Sequence, residues 1–325
     1  MPKAIRVHAP GGPEVMQWED VPSAAPGRGE VLIRQTAIGL NFLDVYYRAG
    51  LYPAPNGLPI IPGGEGAGVV IGVGEGVTEL SEGDRVAYAI GTGAYAEERL
   101  MPADKLVKIP AGVSDEQAAA IMLKGMTVEF LLRRTFKLGS GHTALFHAAA
   151  GGVGLIAGQW AKHLGATIIG TVSSAAKAEL ARAHGYDHVI NYADRDFVAD
   201  VLDITGGAKC DVVYDSVGKD TFERSLDCAK RLGLVVLFGQ SSGPVQPLNP
   251  ALLAQKGSLF LTRPTIFGYN ATREELVASA AALFDVVSKG VVKVSINQRY
   301  ALKDVARAHA DLEGRKTTGA TVILP

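Results

Sequence analysis

Apolar and polar positions alternate through the first third of the chain and then change rhythm. In runs separated by Gly, Pro and Asp, roughly every second residue is apolar over 3–9, 30–38, 66–73, 85–90, 94–102 and 106–109, which predicts half-buried strands joined by turns. From residue 139 onward, short apolar runs at 144–147, 167–172, 188–190, 210–215 and 234–238 are separated by stretches with helical spacing. These predict helices at 175–184, 196–205 and 219–231 and one that starts near Gly152. Such alternation builds a parallel sheet with helices on both faces. A further strand at 257–263 extends the series, and the end of the chain adds a helix at 273–289, a strand at 292–300, a helix at 303–312 and a strand at 320–324. The pattern predicts two domains with a cleft between them. One, residues 1–124 and 268–325, is mostly β; the other, residues 125–267, is an α/β doubly wound parallel sheet.

The most informative junction is Leu145-Phe146-His147-Ala148-Ala149-Ala150-Gly151-Gly152-Val153-Gly154, where a strand pattern turns through glycines into a helix pattern. Val153, Ile156, Ala157, Trp160, Ala161 and Leu164 fall on one helical face, so Ala150, Gly151, Gly152, Val153 and Gly154 sit at a helix N-terminus. Unpaired N–H groups and the helix dipole there favour a pyrophosphate. The fingerprint reads Ala149-x-Gly151-x-x-Gly154, with alanine in place of the usual first glycine. The competing reading is an ordinary tight turn. Gly72-x-Gly74 and Gly91-x-Gly93 contain pieces of the same pattern, but no helical period follows them, and they read as hairpin turns.

The end of the second parallel strand selects the dinucleotide, because an acid there would bond the 2′-hydroxyl of NAD. This chain has Thr171-Val172-Ser173-Ser174 and then Lys177, a site suited to the 2′-phosphate of NADPH. Against this, Lys177 reads as a solvated helix lysine. Tyr192 follows the third strand and could approach from the side. Ser216, Phe238, Gly239 and Ser241 follow the fourth and fifth strands on the carboxyl edge, where ligands of such sheets bind, with a plain turn as the alternative. His147, on a buried strand, reads as a satisfied core histidine.

Composition narrows the class. The 325 residues are 47% hydrophobic with a formal net charge of -1, enough for two cores and without a global drive toward nucleic acid or anionic membrane. Apolar stretches are too short to span a bilayer, and the N-terminus alternates like a strand instead of reading as a signal peptide, so a cytoplasmic protein is expected. Cys210 and Cys228 are the only cysteines and read as buried reduced thiols.

Five segments carry a resemblance: Ala37-Ile38-Gly39-Leu40-Asn41-Phe42-Leu43-Asp44, Ile61-Pro62-Gly63-Gly64-Glu65-Gly66-Ala67-Gly68, Gly83-Asp84-Arg85-Val86, Ala118-Ala119-Ala120 through Lys124-Gly125-Met126-Thr127, and Ala149 to Gly154. In this order the chain resembles the medium-chain dehydrogenase/reductase superfamily, and within it the zinc-free NADPH:quinone oxidoreductases related to zeta-crystallin. The resemblance implies a GroES-like catalytic domain beside a Rossmann domain. Zinc-dependent relatives bind metal through Cys, His and Cys; the matching places here are Asn41, Gly64 and Lys124, which do not make a zinc set. The structural-zinc cysteines are absent too.

The resemblance also implies that Asn41, Tyr46, Tyr52, Lys124 and Thr127 surround the nicotinamide and substrate, and that Arg315 approaches the cofactor phosphate. Tyr52 or Lys124 would donate to the oxygen that gains charge. Of the adjacent Tyr46 and Tyr47, at most one is expected to line the cleft, and Asn41 has the competing role of a helix cap. The implied function is NADPH-dependent reduction of a quinone without metal or flavin, by hydride transfer or single-electron steps. Alternatives are reduction of an enal or enone double bond and, in another class, NADPH-gated binding of single-stranded RNA, which the near-neutral charge disfavours. A homodimer is expected through residues 257–263, since an apolar edge strand left bare invites pairing.

Overall fold

The computed structural model describes residues 1–193 and 195–325. The chain forms two compact units, one of Met1–Met126, Asn270–Ser288 and Val294–Pro325, the other of Thr127–Tyr269 and Lys289–Lys293.

The first unit is built on a seven-stranded sheet. Its path runs Ile296–Ala301, Ala320–Leu324, Glu30–Gly39, Glu65–Val73, Arg85–Ala89, Val107–Lys108, and Glu98–Pro102 adds a third antiparallel partner to Glu30–Gly39. Lys3–Val7 and Met16–Asp20 form a separate antiparallel pair. Ile33, Ile38, Val70, Val86, Tyr88, Tyr95, Met101, Val305 and Ile323 fill the core, as the alternation of apolar positions requires. The helix Phe42–Arg48 follows the long strand Glu30–Gly39 directly.

Among the described residues the second unit carries six parallel strands in the order His188–Asn191, Thr167–Val172, Thr143–Phe146, Cys210–Asp215, Ala229–Leu237, Phe260–Thr262. Numbered from the first strand of this sheet, that order is 3-2-1-4-5-6, and its reversal beside Thr143–Phe146 is where such sheets hold ligands. Cys210 and Cys228 are free and buried, and burial pushes the Cys228 thiol up to about 12.

Several elements differ from the sequence expectation. The helix expected over 219–231 spans only Phe222–Cys228, because Ala229 pairs with Cys210 and begins a strand. The strand expected over 257–263 shrinks to Phe260–Thr262, since Gly257 (φ 118°) and Ser258 (φ 55°) turn the backbone out of the extended region. Residues 94–97 precede the strand Glu98–Pro102 instead of belonging to it, and the strand expected from 292 starts at Ile296. The sequence pattern did not predict Met16–Asp20 or the helix Asp115–Phe130. That helix is buried nearly all round, polar Lys124, Thr127 and Glu129 included, so its sequence shows no one-sided apolar period. No helix among the described residues is long and apolar enough to cross a membrane.

Candidate functional site

In the second unit the strand Thr143–Phe146 leads into the helix Gly152–His163 through a tight cradle. The left-handed residue of this turn is Ala148, at φ 55°, and its carbonyl accepts the Gly151 N–H at 2.9 Å. At Gly154 a Cβ would lie 2.4 Å from the Ala148 oxygen, so only glycine fits. The helix start carries no side-chain cap, and the N–H groups that a helix leaves unpaired at its first turn suit a pyrophosphate.

At the end of the strand Thr167–Val172, the Ser174 hydroxyl caps the helix Ala175–Ala183 by accepting the Lys177 N–H at 3.4 Å. Ser173 and Lys177 are half-buried beside this cap. The Tyr192 N–H bonds the Val172 carbonyl at 3.0 Å, which brings Tyr192 to the same strand end. Past the switch in strand order, the Ser241 N–H bonds the Ser216 carbonyl at 3.1 Å, and a Cβ on Gly239 would meet that carbonyl oxygen at 2.6 Å. Phe238 packs on Phe146 with ring centroids 5.6 Å apart. Ser216, Phe238, Gly239 and Ser241 therefore gather at one edge.

Beneath this edge lies a buried polar set. His147 shares hydrogen bonds with Thr171 Oγ1 at 2.8 Å and Ser225 Oγ at 3.0 Å, and burial holds its imidazole below the ordinary histidine range. The Asp215 carboxylate accepts from the Val217 N–H at 2.8 Å, the Gly218 N–H at 3.0 Å, Thr221 Oγ1 at 2.8 Å and Ser225 Oγ at 2.7 Å. It thereby fixes the loop that carries Ser216.

In the first unit Asn41 precedes the helix Phe42–Arg48 and is 8% exposed. Its backbone N–H donates to Asp44 Oδ2 at 2.8 Å, the acidic arm of a helix cap. Its side-chain Nδ2 donates to Glu65 Oε1 at 2.9 Å. Glu65 is fully buried, accepts the Leu123 N–H at 2.6 Å and is ion-paired with Lys124, itself 5% exposed. Asn41, Glu65 and Lys124 thus form one hydrogen-bonded group. Thr127 follows Lys124 by three residues on the helix Asp115–Phe130 and is also buried.

Tyr95 donates to Asp44 Oδ2 at 2.9 Å and shares a hydrogen bond with His309 Nε2 at 2.9 Å. His309 Nδ1 lies 3.1 Å from Arg48 Nη1, and Arg48 makes a two-point contact to Glu313 at 2.8 and 2.9 Å. Burial and the Arg48 charge push the His309 imidazole down to about 3. Burial pushes the Asp44 carboxyl up to about 7, against the Asn41 N–H, the Tyr95 hydroxyl and Lys124. Asp44, Glu65, Tyr95, His309 and Arg48 were not singled out from the sequence as site residues. A local signal existed for Asp44, three residues after an N-cap asparagine, and for Glu65, a carboxylate inside a glycine-rich apolar run.

Tyr46 and Tyr47 both reach Tyr52, at centroid separations of 5.3 and 5.8 Å, because the chain turns back through Gly50 at φ 75°. Adjacent helix positions would part on a straight helix, but here one returning ring meets both. Arg315 is exposed, with φ 58°. The places aligned with zinc ligands offer an amide that donates to Glu65, a glycine and an ammonium held by Glu65, a donor set that does not fit zinc.

Two family models match: the alcohol dehydrogenase GroES-like domain over residues 27–111 and the zinc-binding dehydrogenase over residues 152–285. The chain is 56% identical over 326 residues to a quinone oxidoreductase of Pseudomonas aeruginosa, covering all of both chains. It is 46% identical to a 2-haloacrylate reductase of a Burkholderia species, covering 100% of this chain and 99% of that one. A solved Escherichia coli quinone oxidoreductase complexed with NADPH is similar at 50% identity and TM-score 0.96, covering 99% of this chain and 100% of that one. A glycine cradle on a 3-2-1-4-5-6 sheet, joined in one chain to a GroES-like unit, defines a dinucleotide-dependent dehydrogenase or reductase. The chain belongs to the medium-chain dehydrogenase/reductase superfamily and, within it, to the quinone oxidoreductases.

Proposed function

We propose that this protein reduces quinones with NADPH, without metal or flavin. The observation that carries the reading is the full-length identity of 56% to a quinone oxidoreductase, and the two sites agree with it. The cradle at Gly151–Gly154 would receive the pyrophosphate, and Ser173, Lys177 and Tyr192 surround a strand end with no acid to repel a 2′-phosphate. When bound, NADPH supplies a hydride. Lys124, held on Glu65, is the cation that would donate to the acceptor oxygen as negative charge develops, while Asn41 and Thr127 orient the reacting groups and Tyr46 and Tyr52 give the acceptor an aromatic wall. Ser216, Phe238, Gly239, Ser241 and Arg315 are assigned to the remaining cofactor contacts.

The test is steady-state oxidation of NADPH and NADH with a benzoquinone and a larger ortho-quinone. Lys177→Ala should weaken NADPH binding by roughly 1.5–3 kcal/mol, the scale of a charged hydrogen bond, and leave NADH nearly unchanged. Equal losses for both cofactors would remove the basis for the assignment. A second reading, reduction of a conjugated carbon–carbon double bond, is favoured by the 46% identity to a 2-haloacrylate reductase; a 2-alkenal or 2-haloacrylate that turns over faster than any quinone would establish it.

We place the protein in the cytoplasm, and as a homodimer through the edge Phe260–Thr262. Phe260 is 62% exposed there, and a second copy would cover it. Light scattering that gives a monomer at micromolar concentration would overturn the dimer.

A further inference from the structure

The first unit contains a buried carboxylate whose hydrogen bonds all fall on one oxygen. Asp44 is fully buried; Oδ2 accepts from the Asn41 N–H and the Tyr95 hydroxyl. Oδ1 is buried without any partner among the described residues. It faces the side-chain-free position Gly64, where a Cβ would stand 3.4 Å from it. An orphaned carboxylate oxygen in a buried site is costly while it carries charge, and a proton on it removes that cost without breaking either existing bond.

The groups around Asp44 fix where such a proton can go. Arginine can only donate, so His309 Nδ1 accepts from Arg48; Nε2 then carries the hydrogen and donates to Tyr95, whose own hydrogen goes to Asp44 Oδ2. With two donors already on Oδ2, Oδ1 is the free proton acceptor. Arg48 is matched by Glu313 and Lys124 by Glu65, while Asp44 forms no ion pair among the described residues. The remaining titratable groups that sense its charge are the phenols of Tyr47 and Tyr88, and burial pushes both up and keeps them neutral. Asn41 connects this carboxylate to Lys124, with its backbone on Asp44 and its amide on Glu65.

We propose that Asp44 is a positioning residue that holds a proton on Oδ1, and that this proton sets the net charge of the Asn41–Glu65–Lys124 group and so the readiness of Lys124 to serve a negatively charged acceptor oxygen. With Asp44 protonated, Glu65 and Lys124 cancel. With Asp44 ionised, the group carries one extra negative charge, which opposes charge build-up on the acceptor. Burial, opposed by the Asn41 N–H, the Tyr95 hydroxyl and Lys124, leaves the carboxyl at about 7, so the switch falls near neutral pH. In its effect on turnover the inference rests on the quinone-reductase reading; in the proton itself it does not.

Two measurements test it. Infrared difference spectra of the full chain without substrate, titrated from pH 5 to 9, should show a protonated-carboxyl band that disappears with a midpoint near neutrality and is missing in Asp44→Asn. Tyr95→Phe, which removes one bond to Oδ2 and leaves the carboxylate less supported, should move that midpoint to higher pH. One charge added beside the group that serves the acceptor oxygen, even when screened, changes a rate on the order of tenfold. Quinone kcat/KM should therefore fall by about tenfold as pH rises through the midpoint, and the profile of Asp44→Asn, whose amide imitates the protonated acid, should be flat. No titrating band, or the same pH profile in Asp44→Asn and the native chain, overturns the proposal. A titrating band with no quinone turnover would support the Asp44 proton and count against the quinone reading; normal turnover with no band would do the reverse.

Discussion

The chain contains two buried polar networks of similar size and opposite character. Around Asp215 in the second unit, four neutral groups and two backbone N–H groups converge, and His147, Thr171, Thr221 and Ser225 all have partners. Around Asp44 and Glu65 in the first unit, cations and carboxylates are counted against one another, and one oxygen is left without a bond among the described residues. A fully satisfied network rigidifies, while one that keeps an unspent atom stores a difference between two protonation states. The contrast separates scaffold from machinery more sharply than burial does, since the carboxylates of both networks are fully buried.

The largest effect expected comes from the charge pair. Lys124→Met should strand Glu65 as a buried charge and cost about 3–5 kcal/mol of stability in urea unfolding. Adding Glu65→Gln should recover most of that loss, because removing both charges is nearly neutral, without restoring quinone reduction. A double variant as unstable as the single one would show that the pair is not the isolated couple described.

A second test uses pH. The Asp44 carboxyl lies at about 7 instead of 3.8, so the folded chain keeps a proton that the unfolded chain releases, and stability from this group is lost as pH rises from about 4 to 7. His309 lies at about 3 instead of 6.5; here the unfolded chain binds the proton, and stability is gained as pH rises from about 3 to 6.5. The two slopes, each about 1.4 kcal/mol per pH unit, cancel between roughly pH 4 and 6.5. Asp44→Asn should expose the His309 slope, so that its stability rises with pH relative to the native chain in that window. Identical pH slopes in the two proteins would contradict the assignment.

The scaffold network should respond differently. Ser225→Ala leaves both His147 and Asp215 one bond short and should cost about 1–3 kcal/mol, seen as a lower urea midpoint, while the pH profile of turnover keeps its shape. The smallest effect expected is at Ala148, where glycine would relieve the left-handed backbone. Ala148→Gly should stabilise the chain by about 0.5–1 kcal/mol, read from thermal unfolding.

What the sequence made legible follows the range of the interactions. The cradle is a local motif, so Gly151 to Gly154 could be read from glycine spacing together with the strand pattern before and the helix period after it, and the strand-helix alternation revealed the parallel sheet. The strand Ala229–Leu237 was misread in part because Lys230 and Arg231 continue the polar rhythm of the preceding helix; pairing of Ala229 with Cys210 decides the outcome. The Asp44 network was out of reach for another reason. Tyr95 and His309 are 214 positions apart, and Arg48 and Glu313 are 265 apart, separations at which no periodicity carries information. The family motifs pointed to Asn41 and Lys124 as site residues; Glu65, which joins them, stood out only as a carboxylate inside a glycine-rich apolar run, and its two partners are 24 and 59 positions away.

The first unit's sheet has a consequence for the order of events on the ribosome. The strand Glu30–Gly39 is among the earliest made, yet its partner Ala320–Leu324 is the last strand of the chain, with Val322 opposite Gly39. The parallel sheet of the second unit, by contrast, is complete in sequence by Thr262. Because domains fold as units and pairing cannot precede synthesis, the nucleotide-binding unit can assemble its sheet while the other still presents an open edge, and a chain cut short by its last six residues would leave that edge permanently unpaired.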